Sequence, residues 1–453
     1  IAVPSIINKN DKIRIRFSVL DYCCNNSYPR YEGKFFCASP ASPFTPLDMT
    51  LLKRENENSG KISIDASSII DASNGKYARV IISDIRDSLK GISPPMITKD
   101  NTNNMNVYYG DIHAKTVNSD GLGSAEEYFL HARDIALNDF SAIADHNHYE
   151  ISKIEGPFQT SMDEETYGKI ILACEKFNQP GSFVTLQGFE QNFLKDYRGH
   201  RNIYFRGKSP AIFKGQTLKE LYEYLEGYEA LIIPHHPIIW GTQVHLNNPK
   251  YERLVEIYSM HCSSEVKASP LNNFRTTANK AETGISARKI LDNGYKVGFI
   301  AASDNHNGAP GLSSKPSRFT NLVYSGGLAA VFAPELTREA IFDGLYAKRC
   351  YATTGERIYL DFRIKDMPMG GEIELSNYGK LPYSIKVVGT QNISGIELIH
   401  NNKVISLYGY NGSEYAEING EVDITANTNW VYIRVIQINR HMAWSSPIWI
   451  EVK

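Results

Sequence analysis

Between His113 and His306 the chain repeatedly runs from a short apolar stretch straight into a histidine or a carboxylate. Residues 140–144 lead into Asp145 and His146, 183–186 precede Glu190, 230–233 precede His235 and His236, 254–258 precede His261, and 297–302 precede Asp304 and His306. Ten of the twelve histidines fall in this interval, so they are concentrated where the strand-like runs end. Helical patterns separate several of the runs, at Glu164–Phe177, 218–225 and 287–293, and Ser124 with Glu127 three residues on forms a capping box that opens another helix. Repeated strand then helix, with polar residues at each strand's C-terminal end, describes a (β/α) barrel whose side chains converge at one mouth. Neutral imidazole and carboxylate together are the usual ligand set for zinc, manganese or iron, so the pattern predicts a polynuclear metal site.

The flanks read differently. Upstream, period-two alternation such as Lys12-Ile-Arg-Ile-Arg-Phe is broken by Asn-, Ser-, Gly- and Pro-rich stretches, which predicts a small β domain over residues 1–104 with a polar linker at its end. Downstream, five runs at 359–364, 383–388, 395–400, 430–436 and 448–452 predict a C-terminal β-sandwich over 356–453, leaving 105–355 to the α/β barrel. A chain of 453 residues exceeds one typical core and is expected to divide in this way. The formal net charge of -2 gives no electrostatic reason to expect nucleic acid or an anionic membrane as partner. No apolar run approaches the roughly 20 residues that cross a bilayer as a helix. Because the chain begins at Ile1 rather than Met, an upstream segment is expected to have been removed, and compartment stays open, as does oligomeric state. Of six cysteines, Cys23, Cys24 and Cys37 are close enough for one pair to bridge, whereas Cys174, Cys262 and Cys350 sit in apolar contexts and read as buried free thiols.

Taken in order, His113-x-Lys115, Asp120, Asp145-His146, Glu190, His200, His236-Pro237 and Asp304-x-His306 resemble the polymerase-and-histidinol-phosphatase (PHP) superfamily of metal-dependent hydrolases. Runs such as Tyr109-Gly-Asp-Ile-His and Tyr351-Ala-Thr-Thr-Gly-Glu-Arg resemble a largely uncharacterised branch of it, and the likeness spans about residues 107–364. The resemblance implies a distorted (β/α)7 barrel carrying up to three divalent metal ions at its C-terminal mouth. It implies that His113, Glu190 and Asp304 hold one ion, that Glu190 bridges to a second held by His200 and His236, and that Asp120, His146 and His306 hold a third. The departure is Lys115, which stands where the superfamily usually has a second histidine. A protonated amine cannot ligate a metal, so Lys115 either neutralises an anion where a metal would have been, or points away into solvent, or carries a covalent modification.

Further candidates surround this set. His235 could hydrogen-bond substrate or backbone beside the better-matched His236, and His148 and His261 could give a proton to a leaving group or simply pack. Arg201 could clamp a phosphate or carboxylate, or be solvated. Asp111 and Asp145 could each orient a ligand imidazole or cap a backbone donor. His131, His245, His400 and His441 lack neighbouring carboxylate motifs or lie in a plain helical run. No Gly-x-Gly-x-x-Gly after a strand, Walker-type loop or Gly-x-Ser-x-Gly elbow is present, which argues against nucleotide-loop and serine-nucleophile chemistry. The expected activity is therefore a metal-dependent hydrolase using metal-activated hydroxide on a small anionic substrate, with phosphoesters as the leading class. Hydrolysis of a carboxylic ester, amide or carbamate is the alternative within enzymes. A non-catalytic binding protein on a degenerate barrel is the alternative outside them.

Overall fold

The computed structural model describes residues 1–18, 35–39, 42–47, 53–56, 59–70, 76–84, 90–98, 105–147, 162–193, 199–240, 248–267, 284–311, 326–409 and 411–453. Cys23, Cys24, His148 and His245 lie outside the described residues, as does most of the expected linker.

The expected strand-to-helix alternation is present in the central region. Its strands are β1 (Asn106–Asp111), β2 (Phe140–Ala142), β3 (Val184–Asn192), β4 (His200–Phe205), β5 (Ala230–His235), β6 (Leu254–Ser259), β7 (Gly298–Ala301), β8 (Leu328–Ala333) and β9 (Cys350–Thr353). Its helices, besides the single turn Pro237–Trp240, are α1 (Ala125–Leu130), α2 (Glu164–Phe177), α3 (Leu218–Tyr224), α4 (Ala287–Asp292) and α5 (Arg338–Tyr346). Local chemistry starts each helix: Ser124 and Glu127 form the expected capping box, Thr217 and Glu220 form a second, and Asp163, Ser286 and Thr337 accept from the first-turn amides of α2, α4 and α5. After α1 the chain winds on as a π-helical turn over His131–Ile135, which buries His131.

Strand pairing departs from a repeated parallel barrel. β1–β2 and β2–β3 are parallel, but β3–β4, β4–β5, β1–β8 and β8–β9 are antiparallel. One reason is chain length: residues 193–199 alone join β3 to β4, and a parallel crossover needs roughly a dozen. β6 and β7 pair in parallel within a separate three-stranded sheet completed by Cys262–Ser263. Single backbone bonds of 2.9 Å, Ile232 N to Tyr251 O and Gly327 N to Ala302 O, tie this small sheet to the large one, and the described ladders do not close a ring. Beneath the strand ends lies a core that includes Phe140, Leu186, Tyr204, Ile233, Leu254, Ile300 and Val331, all essentially inaccessible. Each such side chain contributes about 1.5–3 kcal/mol relative to exposure, which makes the base beneath the strand ends rigid.

C-terminal to β9 the five expected β runs all fall within strands. Tyr359–Ile364, Gly379–Val388, Tyr415–Ile424 and the short Met367–Pro368 make a four-stranded antiparallel sheet. Ile393–His400, Lys403–Gly409, Thr428–Gln437, Met442–Ser445 and Ile448–Val452 belong to the large sheet, and Ile385, Val387, Leu398, Ile433 and Val435 from both sheets share one core. The large sheet continues without interruption from β9 into Met442–Ser445, with Tyr351 opposite Ser445. N-terminal strands Lys12–Ser18 and Ser59–Asp65 pair antiparallel around a small core of their own that includes Ile13, Ile15 and Ile64. No described helix is long and apolar enough to cross a membrane.

Candidate metal centre

The strand ends deliver their polar side chains to one place. His113 and Lys115 follow β1 with Ala114 between them, so alternation turns both the same way, and both are fully buried. His146 sits in the short strand His146–Asn147, registered against Glu190 of β3. His200 begins β4 opposite His235, which ends β5. His236 and Asp304 have positive φ values of 29° and 52°, a region that costs a non-glycine residue about 1–3 kcal/mol and that clusters at functional sites.

Glu190 is the hub. Its Oε1 lies 3.1 Å from His200 Nδ1 and 3.2 Å from both His146 Nδ1 and His235 Nε2. Its Oε2 lies 3.1 Å from His113 Nε2 and in direct ion pair with Lys115 Nζ. Asp304 forms a second hub, 3.2 Å from His113 Nε2 through Oδ1 and 3.3 and 3.4 Å from His261 Nε2 and His236 Nδ1 through Oδ2. Asp120 reaches His146 Nε2 at 3.4 Å and His306 Nε2 at 3.3 Å. Among the described residues, four overlapping groups have ligand atoms close enough to share an ion: His200/His235/His236, His113/His235/Asp304, Asp120/His146/His306 and His261/Asp304/His306.

The donors themselves test whether cations fit. Glu190 Oε1, Asp120 Oδ1 and both ring nitrogens of His235 and His236 are buried without a hydrogen bond, although several approach one another within 3.5 Å. Buried polar atoms left this way cost roughly 1–3 kcal/mol each, and a divalent ion between them removes that cost. Burial would push the Glu190 carboxyl up, yet His146 and Lys115 hold it well below the usual carboxylate range, and His113 and His261 do the same for Asp304. Burial pulls His235 down to about 3 against the pull of Glu190, and burial with the neighbouring His235 lowers His236 as well. Both shifts favour the neutral imidazole, the form that ligates a metal. Access is one-sided: the side chains of His146, His200, His261 and His306 are 13–17% exposed, whereas those of His113, Lys115, Glu190 and His235 are 0–1% exposed.

All eight residues expected as ligands, His113, Asp120, His146, Glu190, His200, His236, Asp304 and His306, meet in this network. His235 joins them rather than serving backbone, and His261 faces Asp304 rather than an apolar wall. The reading that Lys115 points into solvent is corrected, because its Nζ is enclosed by Glu190, His113 and the Ala144 carbonyl. Arg201 is corrected too. One residue along β4 from His200, it faces the other side of the sheet, fully buried, and donates from Nε to Glu252 Oε1 at 2.8 Å. His148, the remaining catalytic candidate, lies outside the described residues.

Asp111 and Asp145, each expected either to orient an imidazole or to cap a backbone donor, do the latter. Asp111 accepts from the amides of His113, Ser303 and Gly311, and Asp145 accepts from the Thr116 amide and the Thr116 and Ser119 hydroxyls. The carboxylate that does hold a ring is Glu256 of β6, whose Oε2 lies 2.9 Å from His113 Nδ1. Burial pushes Glu256 up to about 7 against the opposing pull of His113. Sequence reasoning missed it, though a lone carboxylate inside the apolar run 254–258 was the available signal.

A family model described as a protein of unknown function (DUF3604) matches residues 314–364. An uncharacterized protein of Chlamydia trachomatis is 30% identical over 373 residues, covering 76% of this chain and 57% of its own length. One from Chlamydia pneumoniae is 27% identical over 372 residues, covering 77% of this chain and 58% of its own length. The chain thus spans somewhat over half the length of these curated relatives. Among solved structures, a two-domain protein from Bacteroides vulgatus, described as containing a predicted PHP-like metal-dependent phosphoesterase, is similar with a TM-score of 0.40 and 13% identity, over 76% of this chain and 96% of that one.

Proposed function

We propose that this chain is a metal-dependent hydrolase whose substrates are small anionic phosphoesters. The observation that carries the reading is Glu190, a buried carboxylate whose Oε1 makes no hydrogen bond and faces three imidazole nitrogens at 3.1–3.2 Å. Divalent zinc, manganese or iron held at these donors would supply Lewis acidity and would lower the pKa of water towards about 7. The chain's own residues do the rest. His200, His235 and His236 present ring nitrogens, and Asp304 and Asp120 add the negative charge that clusters cations. The partly open imidazoles of His146, His261 and His306 line the side from which a substrate enters. His261 is placed to hold or deliver a proton at that rim. Phosphoesters are favoured because clustered positive charge, including that of Lys115, stabilises their transition state more than that of a neutral ester. The division into a barrel-like part at 105–355 with β domains at 1–104 and 356–453 belongs to the same proposal, the flanks shaping access to the rim.

The test is elemental analysis of purified protein together with a chelator-sensitive screen on a phosphomonoester, a phosphodiester and an aryl carbamate. Phosphoester turnover that chelation abolishes and manganese or zinc restores is expected. Turnover of the carbamate alone would move the assignment to ester, amide or carbamate hydrolysis, and a metal-free, inactive protein would leave a binding function.

A further inference from the structure

We infer that Lys115 is a built-in cation that takes the place of one metal ion, so that this cup holds two divalent ions and not three. The inference rests on the metal-binding reading above and concerns how many ions the residues admit. Lys115 Nζ touches three groups: it pairs with Glu190 Oε2, donates to the Ala144 carbonyl at 2.5 Å and lies 3.2 Å from His113 Nε2. Glu190 Oε2 and His113 Nε2 are themselves only 3.1 Å apart. Any metal bonded to both would stand within a few ångströms of Nζ.

Leaving the cup is closed to Lys115 as well. It is fully buried, and an ammonium so placed needs the carboxylate it already has. Glu190 is therefore divided, with Oε2 given to the ammonium and Oε1 turned to His146, His200 and His235. The same position excludes the His113/His235/Asp304 group, because a divalent ion on His113 Nε2 would sit within a few ångströms of a buried ammonium, and like charges at that range repel strongly in a low-dielectric interior. Of the three groups that remain, two share His306. His306 Nδ1 is held 2.9 Å from the Asp304 carbonyl, which leaves Nε2 to serve one ion. Among the described residues, one ion at His200/His235/His236 and one at a group containing His306 is the full complement.

The experiment counts metal. Wild type and Lys115→His are loaded with manganese, freed of excess ion, and analysed for metal per chain, with folding checked by circular dichroism. The expected result is about two ions in wild type and about three in Lys115→His, since the imidazole removes the charge and adds a donor. Three ions in wild type, or no gain in a folded Lys115→His, overturns the inference. If Lys115→His does not fold, anomalous scattering from manganese-soaked wild-type crystals decides: peaks at two groups with none bonded to His113 Nε2 support it, and a peak there overturns it. Three ions with hydrolytic activity would sink this inference and leave the hydrolase reading standing, whereas a wild type that binds no divalent ion would sink both.

Discussion

Glu265, just beyond the β6 turn that carries His261, accepts five hydrogen bonds, and replacing it by glutamine is expected to destabilise the protein by about 3–5 kcal/mol. Its Oε1 accepts from Arg288 Nη2 at 2.7 Å, Tyr432 OH at 2.6 Å and Arg434 Nη1 at 2.9 Å, while Oε2 accepts from Arg434 Nη1 at 2.8 Å and Trp444 Nε1 at 2.9 Å. Glutamine can keep one oxygen, but its amide then points two hydrogens at donors. That change forfeits one charged bond of about 1.5–3 kcal/mol and one neutral bond of about 0.5–1.5 kcal/mol, and leaves Arg288 and Arg434 short of a buried counter-charge. Arg434 keeps Glu397, which limits the loss. The assay is equilibrium urea unfolding followed by intrinsic fluorescence, to which Trp444 contributes, in Glu265→Gln against wild type.

The pH dependence has a definite sign. Burial would raise the Glu265 carboxyl, but Arg434 and Arg288 hold it below its ordinary 4.5. Stability from a depressed carboxyl is fully present above the unfolded value and lost as pH falls through the folded one. The gap between variant and wild type should therefore be constant from neutral pH down to about 5 and shrink below about 4. A loss under about 1 kcal/mol at pH 7, or a gap that does not narrow in acid, would refute the claim that this node ties the His261 turn to the C-terminal strands through charge.

Glu190→Gln should lower metal affinity by more than the roughly 10–100-fold typical of an outer partner, read by competition with a fluorescent chelator; unchanged affinity would remove Glu190 from the centre. Chelation should lower the thermal midpoint of wild type, with recovery on adding back metal, because an ion bound at 100 times its Kd stabilises the fold by about 2.7 kcal/mol; a midpoint indifferent to chelator would contradict occupancy. Burial pushes the Cys174 and Cys350 thiols up to about 11 and about 12, so neither should react with a thiol reagent at pH 8 until the protein is denatured; fast labelling of either in the native state would count against the packing of β9 and α2.

Much of the local structure was legible because it depends on near neighbours. Ser124 with Glu127 announced the start of α1, and the apolar periodicity over residues 164–177 matched α2 to the residue. The ligand-type residues were legible one by one, since a histidine or carboxylate closing an apolar strand is conspicuous. What could not be read was which way each side chain would face. Arg201 and His200 are adjacent letters on opposite faces of β4, and Asp111, next door but one to His113, caps amides while Glu256, 143 positions away, holds the ring.

From its letters alone this chain specifies where strands and helices begin, which residue types close the strands, and in what order those types recur. The folded molecule decided that β4 runs antiparallel, that β6 and β7 pair apart from the large sheet, that Lys115 points inward onto Glu190, and that His235 and His261 join the cluster. The physical reason is range: caps and periodicity act over three or four residues, whereas strand direction, register and the meeting of buried charges are settled by pairings between segments tens to hundreds of residues apart.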